Sequence, residues 1–106
     1  ATWCVPCINE LDDIHKEIDK WNDANVKIVA ISTDDSRTKR RVRPMVNGKN
    51  WNFEILMDEN QDLKRALNIT GIPHTIVTKG SRIIYRRIGY KPGEENDLYE
   101  FIIDSQ

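Results

Sequence analysis

Cysteine is scarce in this sequence, with Cys4 and Cys7 the only two among 106 residues. Two thiols form one bridge at most, which excludes a small domain stapled by several disulfides. Histidine is just as sparse, at His15 and His74. Apolar runs stay short, as in Ile28-Val29-Ala30-Ile31. A helix that crosses a bilayer needs roughly 20 such residues, so no membrane span is expected. Neither sign of charge dominates: 16 Lys and Arg against 17 Asp and Glu leave a formal net charge of −1. That balance argues against a dedicated nucleic-acid binder. Internal repeats, low-complexity tracts and linkers are missing as well. The chain opens Ala1-Thr2-Trp3-Cys4, without Met, a basic leader or an apolar signal segment. A processed or partial chain is the expectation, and the usual N-terminal evidence on location is lacking.

What is present suffices for one domain. Apolar residues make up 39% and charged residues 31%, enough for a modest core. Ile8, Leu11, Ile14, Ile18 and Trp21 recur at steps of three and four, predicting one helix over Ile8–Trp21. Glu10, Asp12, Asp13, Lys16, Glu17, Asp19 and Lys20 are assigned to its polar face. Val26–Ser32 is an almost unbroken apolar run, which suits a strand covered on both faces in a parallel sheet. Thr33-Asp34-Asp35-Ser36 offers cap chemistry for a helix from Arg37 towards Val46, whose C-terminal half Pro44 should disturb. Phe53–Met57 reads as a strand, Asp58-Glu59-Asn60 as turn and cap, and a short helix follows to Leu67. Thr75–Thr78 and Arg82–Ile88 flank Lys79-Gly80-Ser81 as a hairpin. A last helix starts near Glu94, with Leu98, Phe101 and Ile102 on one face. The order αβαβαββα predicts an α/β sheet with helices on both faces.

Chemistry concentrates at Cys4-Val5-Pro6-Cys7, at the start of the first helix. Unpaired amides and about half a positive charge at a helix N-terminus favour an anion, here the reactive thiolate of Cys4. Pro6 fits the first turn because its missing N–H has no partner to lose. One helical turn brings both sulfurs within bonding reach. The implied reaction is thiol–disulfide exchange, with Cys4 attacking and Cys7, expected to be the more buried, resolving.

Trp3-Cys4-Val5-Pro6-Cys7 resembles the active-site signature of the thioredoxin superfamily, and Gly71-Ile72-Pro73 resembles the loop whose proline is cis in that fold. The long interval between Cys7 and Pro73 is similar to that of TlpA/ResA-type bacterial thiol–disulfide oxidoreductases, with Thr33–Asp58 supplying their extra βα element. Glu10 and Leu11 after Cys7 fit the same group. The resemblance implies a thioredoxin-like three-layer α/β/α sandwich over residues 1–106, with a mixed sheet and a βα insertion. It also implies a central strand upstream of the active-site helix, between Val26–Ser32 and Thr75–Thr78, which residues 1–106 lack; the domain is therefore expected to be N-terminally incomplete.

The resemblance assigns roles. Cys4 and Cys7 are the redox pair, and Glu10 is a carboxylate that raises the thiol pKa values and relays protons; alternatively it is a solvated residue of the helix start. Trp3, Ile72, Pro73, His74 and Gly89 are candidates for contact with substrate, Ile72 by strand-like pairing. His74 and Gly89 have equally plain structural readings, as a strand-opening and a strand-end residue. The Cys4–Cys7 disulfide itself serves as the redox group, with no metal or organic cofactor. Expected partners are protein thiols and disulfides and an upstream dithiol donor, with no nucleic acid. A monomer exposed to the periplasm or cell envelope follows by the same resemblance, with room for a membrane tether outside these residues. The lack of a histidine between the cysteines leans towards a reductant.

Three rivals compete. A peroxiredoxin-like peroxidase would oxidise Cys4 to a sulfenic acid. A non-enzymatic thioredoxin-like module would bind partners around Ile72 and Pro73. A zinc site would gather Cys4, Cys7, His15 and His74. Separately, Arg37, Lys39, Arg40, Arg41, Arg43 and Lys49 give Ser36–Lys49 a charge of +6, against −5 for Ala1–Asp35. That polarity fits either an acidic partner surface or a solvated helix face.

Overall fold

A computed structural model describes all 106 residues. Helix α1 spans Val5–Lys16 and α2 spans Ile18–Asp23, so the predicted Ile8–Trp21 helix is broken in two. The break is at Glu17, whose backbone leaves the helical region (φ −120°, ψ 31°). Bending there still seats Ile14 and Trp21 in one core with Leu98 and Ile102. Tyr99 meets Trp21 edge to face at 5.3 Å, a favoured geometry for aromatic pairs.

Strand β1 is Val29–Ser32, shorter than predicted, and pairs in parallel with β2, Glu54–Met57. Its side chains alternate between exposed and half-buried, so the expectation of cover on both faces fails. Ala30 and Ile55 are paired in register and line a cavity with α1 and α3. Val29, Ile31 and Leu56 are about two-fifths exposed. Strands β3 (His74–Lys79) and β4 (Arg82–Ile88) form an antiparallel hairpin closed by Gly80-Ser81, with one bulge between Val77 and Thr78. Gly80 carries a positive φ of 63°, the freedom this turn requires.

The two strand pairs form separate two-stranded sheets, rather than the single sheet that the element order suggested. β1 is bonded only to β2, and β3 only to β4, so each of these strands keeps one edge without a ladder.

The insertion between β1 and β2 begins with a 3₁₀ turn, Lys39–Arg41, and continues as α3, Val42–Lys49. Pro44 does not disturb it. It occupies the first turn of α3, where its missing N–H costs no intrahelical bond. Lys49 and the Trp51 indole both donate to Asp12 of α1, at 2.9 and 3.1 Å, and fasten the insertion to that helix. Trp51 also stacks on Phe53 at 5.6 Å. Within the basic stretch, Arg37, Lys39 and Lys49 are paired with Asp35, Glu59 and Asp12. Helix α4 is Asp62–Ala66, and the Asp58 carboxylate accepts the amides of Leu63 and Lys64 at its start. Helix α5, Glu94–Asp104, closes the core through Leu98 and Ile102. No helix is long and apolar enough to cross a membrane.

Candidate active site

Cys4 is the N-cap of α1, in extended conformation, and Cys7 lies one turn on. Their sulfurs are joined in a disulfide, with the Cα atoms 5.3 Å apart. The Cys7 amide donates to Cys4 Sγ at 3.3 Å, so a free helix-end N–H already points at the sulfur that would carry charge. Pro6 sits in the first turn, as predicted. The burial order is the reverse of that expected: Cys4 is buried, and Cys7 is half-buried. In the turn before α1 the Cys4 amide donates to Ala1 O at 3.0 Å, and Cys7 borders a cavity of about 60 Å³.

That turn is anchored from outside α1. Asp34, just after β1, is fully buried, and its carboxylate accepts the Thr2 amide, the Thr2 hydroxyl, the Ser32 hydroxyl and the Thr38 hydroxyl. Burial works to raise the Asp34 pKa, but the donated hydrogen bonds outweigh it and hold the carboxyl below its usual range. Asp34 thus ties three things together: the residue two before Cys4, the end of β1 and the start of the insertion.

Glu10 leaves the polar face assigned to it and is buried. Its carboxylate accepts the Thr75 hydroxyl at 3.1 Å and the Arg87 guanidinium at 2.5 Å. Burial pushes the Glu10 pKa up; Arg87 and the Thr75 hydrogen bond pull it down without cancelling the rise. Removing one member of a buried ion pair typically costs about 3–5 kcal/mol, so this pair strongly constrains where α1 sits on β3–β4.

The Ile72–Pro73 peptide bond is cis, and Pro73 is buried. Gly89, at φ 83°, donates its amide to Pro73 O at 2.8 Å, so two of the predicted contact residues adjoin. Ile72 is half-buried, and Trp3 stands 60% exposed beside the cysteines in sequence. His74 turns its Nε2 to Arg86 Nε at 3.1 Å, and both burial and the Arg86 charge lower its pKa. His15 meets Phe53 edge-on. No group of three or more metal-ligating side chains is assembled, so the four residues of the zinc reading are not brought together.

Sequence reasoning missed Asp34, Thr75 and Arg87. A signal existed for Arg87, since strand alternation puts it on the same face as Tyr85, which packs against the core. A charged residue at such a position calls for a buried partner. For Asp34 the cue is the hydroxyls around it, Ser32 at the strand end and Thr33 and Ser36 in the run Thr33-Asp34-Asp35-Ser36, which local pattern assigns to helix-cap chemistry.

Comparison with known proteins agrees with this geometry. The model of the AhpC/TSA family matches residues 1–87, and the chain belongs to that family. It is similar to the thiol-disulfide oxidoreductase ResA of Bacillus thuringiensis (strain Al Hakam) and that of Bacillus anthracis. Each is 24% identical over 100 residues, covering 93% of this chain and 57% of the relative. The chain therefore spans little more than half the length of those relatives. Among solved structures, one described as a thiol:disulfide interchange protein DsbE, from Chlorobium tepidum, superposes with a TM-score of 0.83. Its identity is 17%, over 98% of this chain and 72% of that one. StoA from Bacillus subtilis gives a TM-score of 0.72 at 21% identity, over 93% and 75%. The fold is thus the thioredoxin-like α/β fold that the two motifs implied.

Proposed function

We propose that the protein is a thiol–disulfide oxidoreductase that reduces disulfides of partner proteins through Cys4 and Cys7. The observation that carries this reading is a disulfide at the N-cap of α1, with the Cys7 amide donating to Cys4 Sγ. The names of the ResA and DsbE relatives point the same way. In the reduced protein, the Cys4 thiolate attacks one sulfur of the partner disulfide. That S–S bond breaks, a mixed disulfide forms, and the partner's second sulfur leaves as a thiolate. Cys7 then gives up its proton and attacks Cys4 Sγ. The Cys4–Cys7 bond closes, and the partner leaves with both of its sulfurs reduced. Two electrons pass to the partner, and a separate dithiol donor must return them.

Glu10, three residues after Cys7 and sequestered from water, is the proposed acceptor of the Cys7 proton. Ile72, Pro73 and Gly89 are the proposed seat of an extended partner segment, with Trp3 shaping the rim and His74 behind it. The free edges of β1 and β3 are proposed to receive a further strand of the protein, because unpaired backbone groups there are costly. Exposure to the cell envelope, and action as a monomer, are part of the same reading.

The test is the equilibrium reduction potential of the cysteine pair, followed by Trp fluorescence in defined thiol buffers. A value near or below about −230 mV supports the reductant; one above about −180 mV overturns the direction. Cys7→Ser should trap the mixed disulfide, and Cys4→Ser should abolish turnover. Peroxide consumption that needs Cys4 would favour the peroxidase reading. Partner binding that survives Cys4→Ala, with no turnover in the parent, would favour the binding module.

A further inference from the structure

Glu10 is held by a residue from the far end of the chain, and the exchange reaction as described gives that residue no part. Thr75 and Arg87 are opposite one another in the β3–β4 ladder, so their side chains stand on the same face. Both reach the Glu10 carboxylate from that face. The pair is shielded from water, with the Arg87 side chain 13% exposed and that of Glu10 7%.

Arg87 is held in turn. Its Nη1 donates to the backbone carbonyl of Glu94 at 3.1 Å, and its Nε lies 3.4 Å from the Glu94 carboxylate. The guanidinium lies 5.8 Å from the centre of the Tyr90 ring. The Tyr90 hydroxyl bonds to Asp13 of α1 and to Glu95 of α5. The cation is therefore fixed by β4 and α5 in the orientation that meets Glu10.

The charges around Glu10 come from few directions. β4 supplies Arg87, α5 supplies Glu94, β3 supplies only the Thr75 hydroxyl, and α1 itself carries the cysteine pair and Asp13, which Tyr90 engages. Burial favours a protonated Glu10, and Arg87 opposes it. A protonated carboxyl cannot take a thiol proton; an ionised one can. The balance between burial and one guanidinium decides which form is present at a given pH.

We propose that Arg87 is a positioning residue for thiol–disulfide exchange: it pins the Glu10 carboxylate to β3–β4 and sets the pH at which Glu10 can accept the Cys7 proton. This rests on the reading of Glu10 as proton acceptor given above. Lysine is not a full replacement, because an ammonium lacks the planar fork that serves Glu10 and the Glu94 carbonyl together.

The experiment uses the full chain labelled with ¹³C at glutamate carboxyls, with NMR following the Glu10 midpoint in the oxidised protein. Alkylation of the reduced protein by iodoacetamide is then measured against pH. Arg87→Met should raise the proton affinity of Glu10 at least about tenfold, the low end for losing an adjacent opposite charge. Its alkylation profile should move to higher pH. Arg87→Lys should shift both in the same direction but less, and it keeps the inference testable if Arg87→Met fails to fold. In the Glu10→Gln background, Arg87→Met should move the profile by less than half as much. A Glu10 midpoint unmoved in both Arg87 variants overturns this inference and leaves the proton role of Glu10 standing. A parental profile in Glu10→Gln alone overturns that role, and the inference with it.

Discussion

The amide and the hydroxyl of Thr2 both donate to the carboxylate of Asp34, at 2.9 and 2.7 Å, across 32 positions of sequence. Thr2 lies in the turn that presents Cys4, and Asp34 follows two residues after the end of β1. The geometry of the redox pair is therefore supported by a buried anion outside its own helix.

Asp34→Ala strips one carboxylate from several donors and should destabilise the protein by about 2–4 kcal/mol. Urea unfolding at neutral pH measures this. Thr2→Val keeps the amide bonds and should cost about 1 kcal/mol. The pH dependence has a definite sign. Because the folded-state pKa of Asp34 lies below its usual 3.8, the unfolded chain binds this proton more tightly. Its contribution is present above that value and is lost as pH falls through the lowered one. Asp34→Ala should remove this part of the acid-induced loss of stability.

Glu10 has the opposite sign. Its folded-state pKa lies above the usual 4.5, so the native state holds this proton more tightly than the unfolded chain does. Stability should decline as pH rises from about that value through the raised midpoint. In Glu10→Gln that segment of the slope should vanish. Urea midpoints collected at half-unit steps of pH check it, and a slope unchanged by the substitution would contradict the burial described here.

Trp21 is 2% exposed and joins α2 to α5 through Tyr99. Truncation to Ala should cost about 3–5 kcal/mol, since the helices around it cannot close fully over the lost volume. Thermal and urea unfolding should both show the loss. Trp21→Phe, which keeps most of the ring, should cost clearly less.

His74 should titrate below its ordinary 6.5, because it is partly desolvated and faces the Arg86 guanidinium. Nε2 accepts from Arg86, which leaves Nδ1 to carry the proton in the neutral ring. Arg86→Ala should move the midpoint upward, as seen in ¹H–¹⁵N NMR of the imidazole.

Much of the architecture was legible because it depends on neighbours a few residues apart. The hairpin was marked by Lys79-Gly80-Ser81 between two β-branched runs, and β4 has the predicted bounds, Arg82–Ile88. The helix start at Cys4 was marked by the Cys-x-x-Cys spacing and Pro6. The break at Glu17 was not legible, since no Gly or Pro announces it, and the apolar spacing continues across it to Trp21. Pro44 misled in the other direction: a proline weakens a helix interior but not a first turn, and the boundary moved with the 3₁₀ turn before it.

For the site, the pattern of residues alone determined that two thiols would meet at a helix N-terminus, because that encounter needs one helical turn. Tertiary structure decided the state of the charges around them. Glu10 reads as a polar-face residue when judged by its neighbours along α1. It is buried because Thr75 and Arg87 arrive from 65 and 77 positions away. Asp34 likewise reads as a helix cap until Thr2 reaches it. A carboxylate leaves water only when its donors and countercharge are already in place. Those come from strands and turns distant in sequence, so only the folded chain could bring them together.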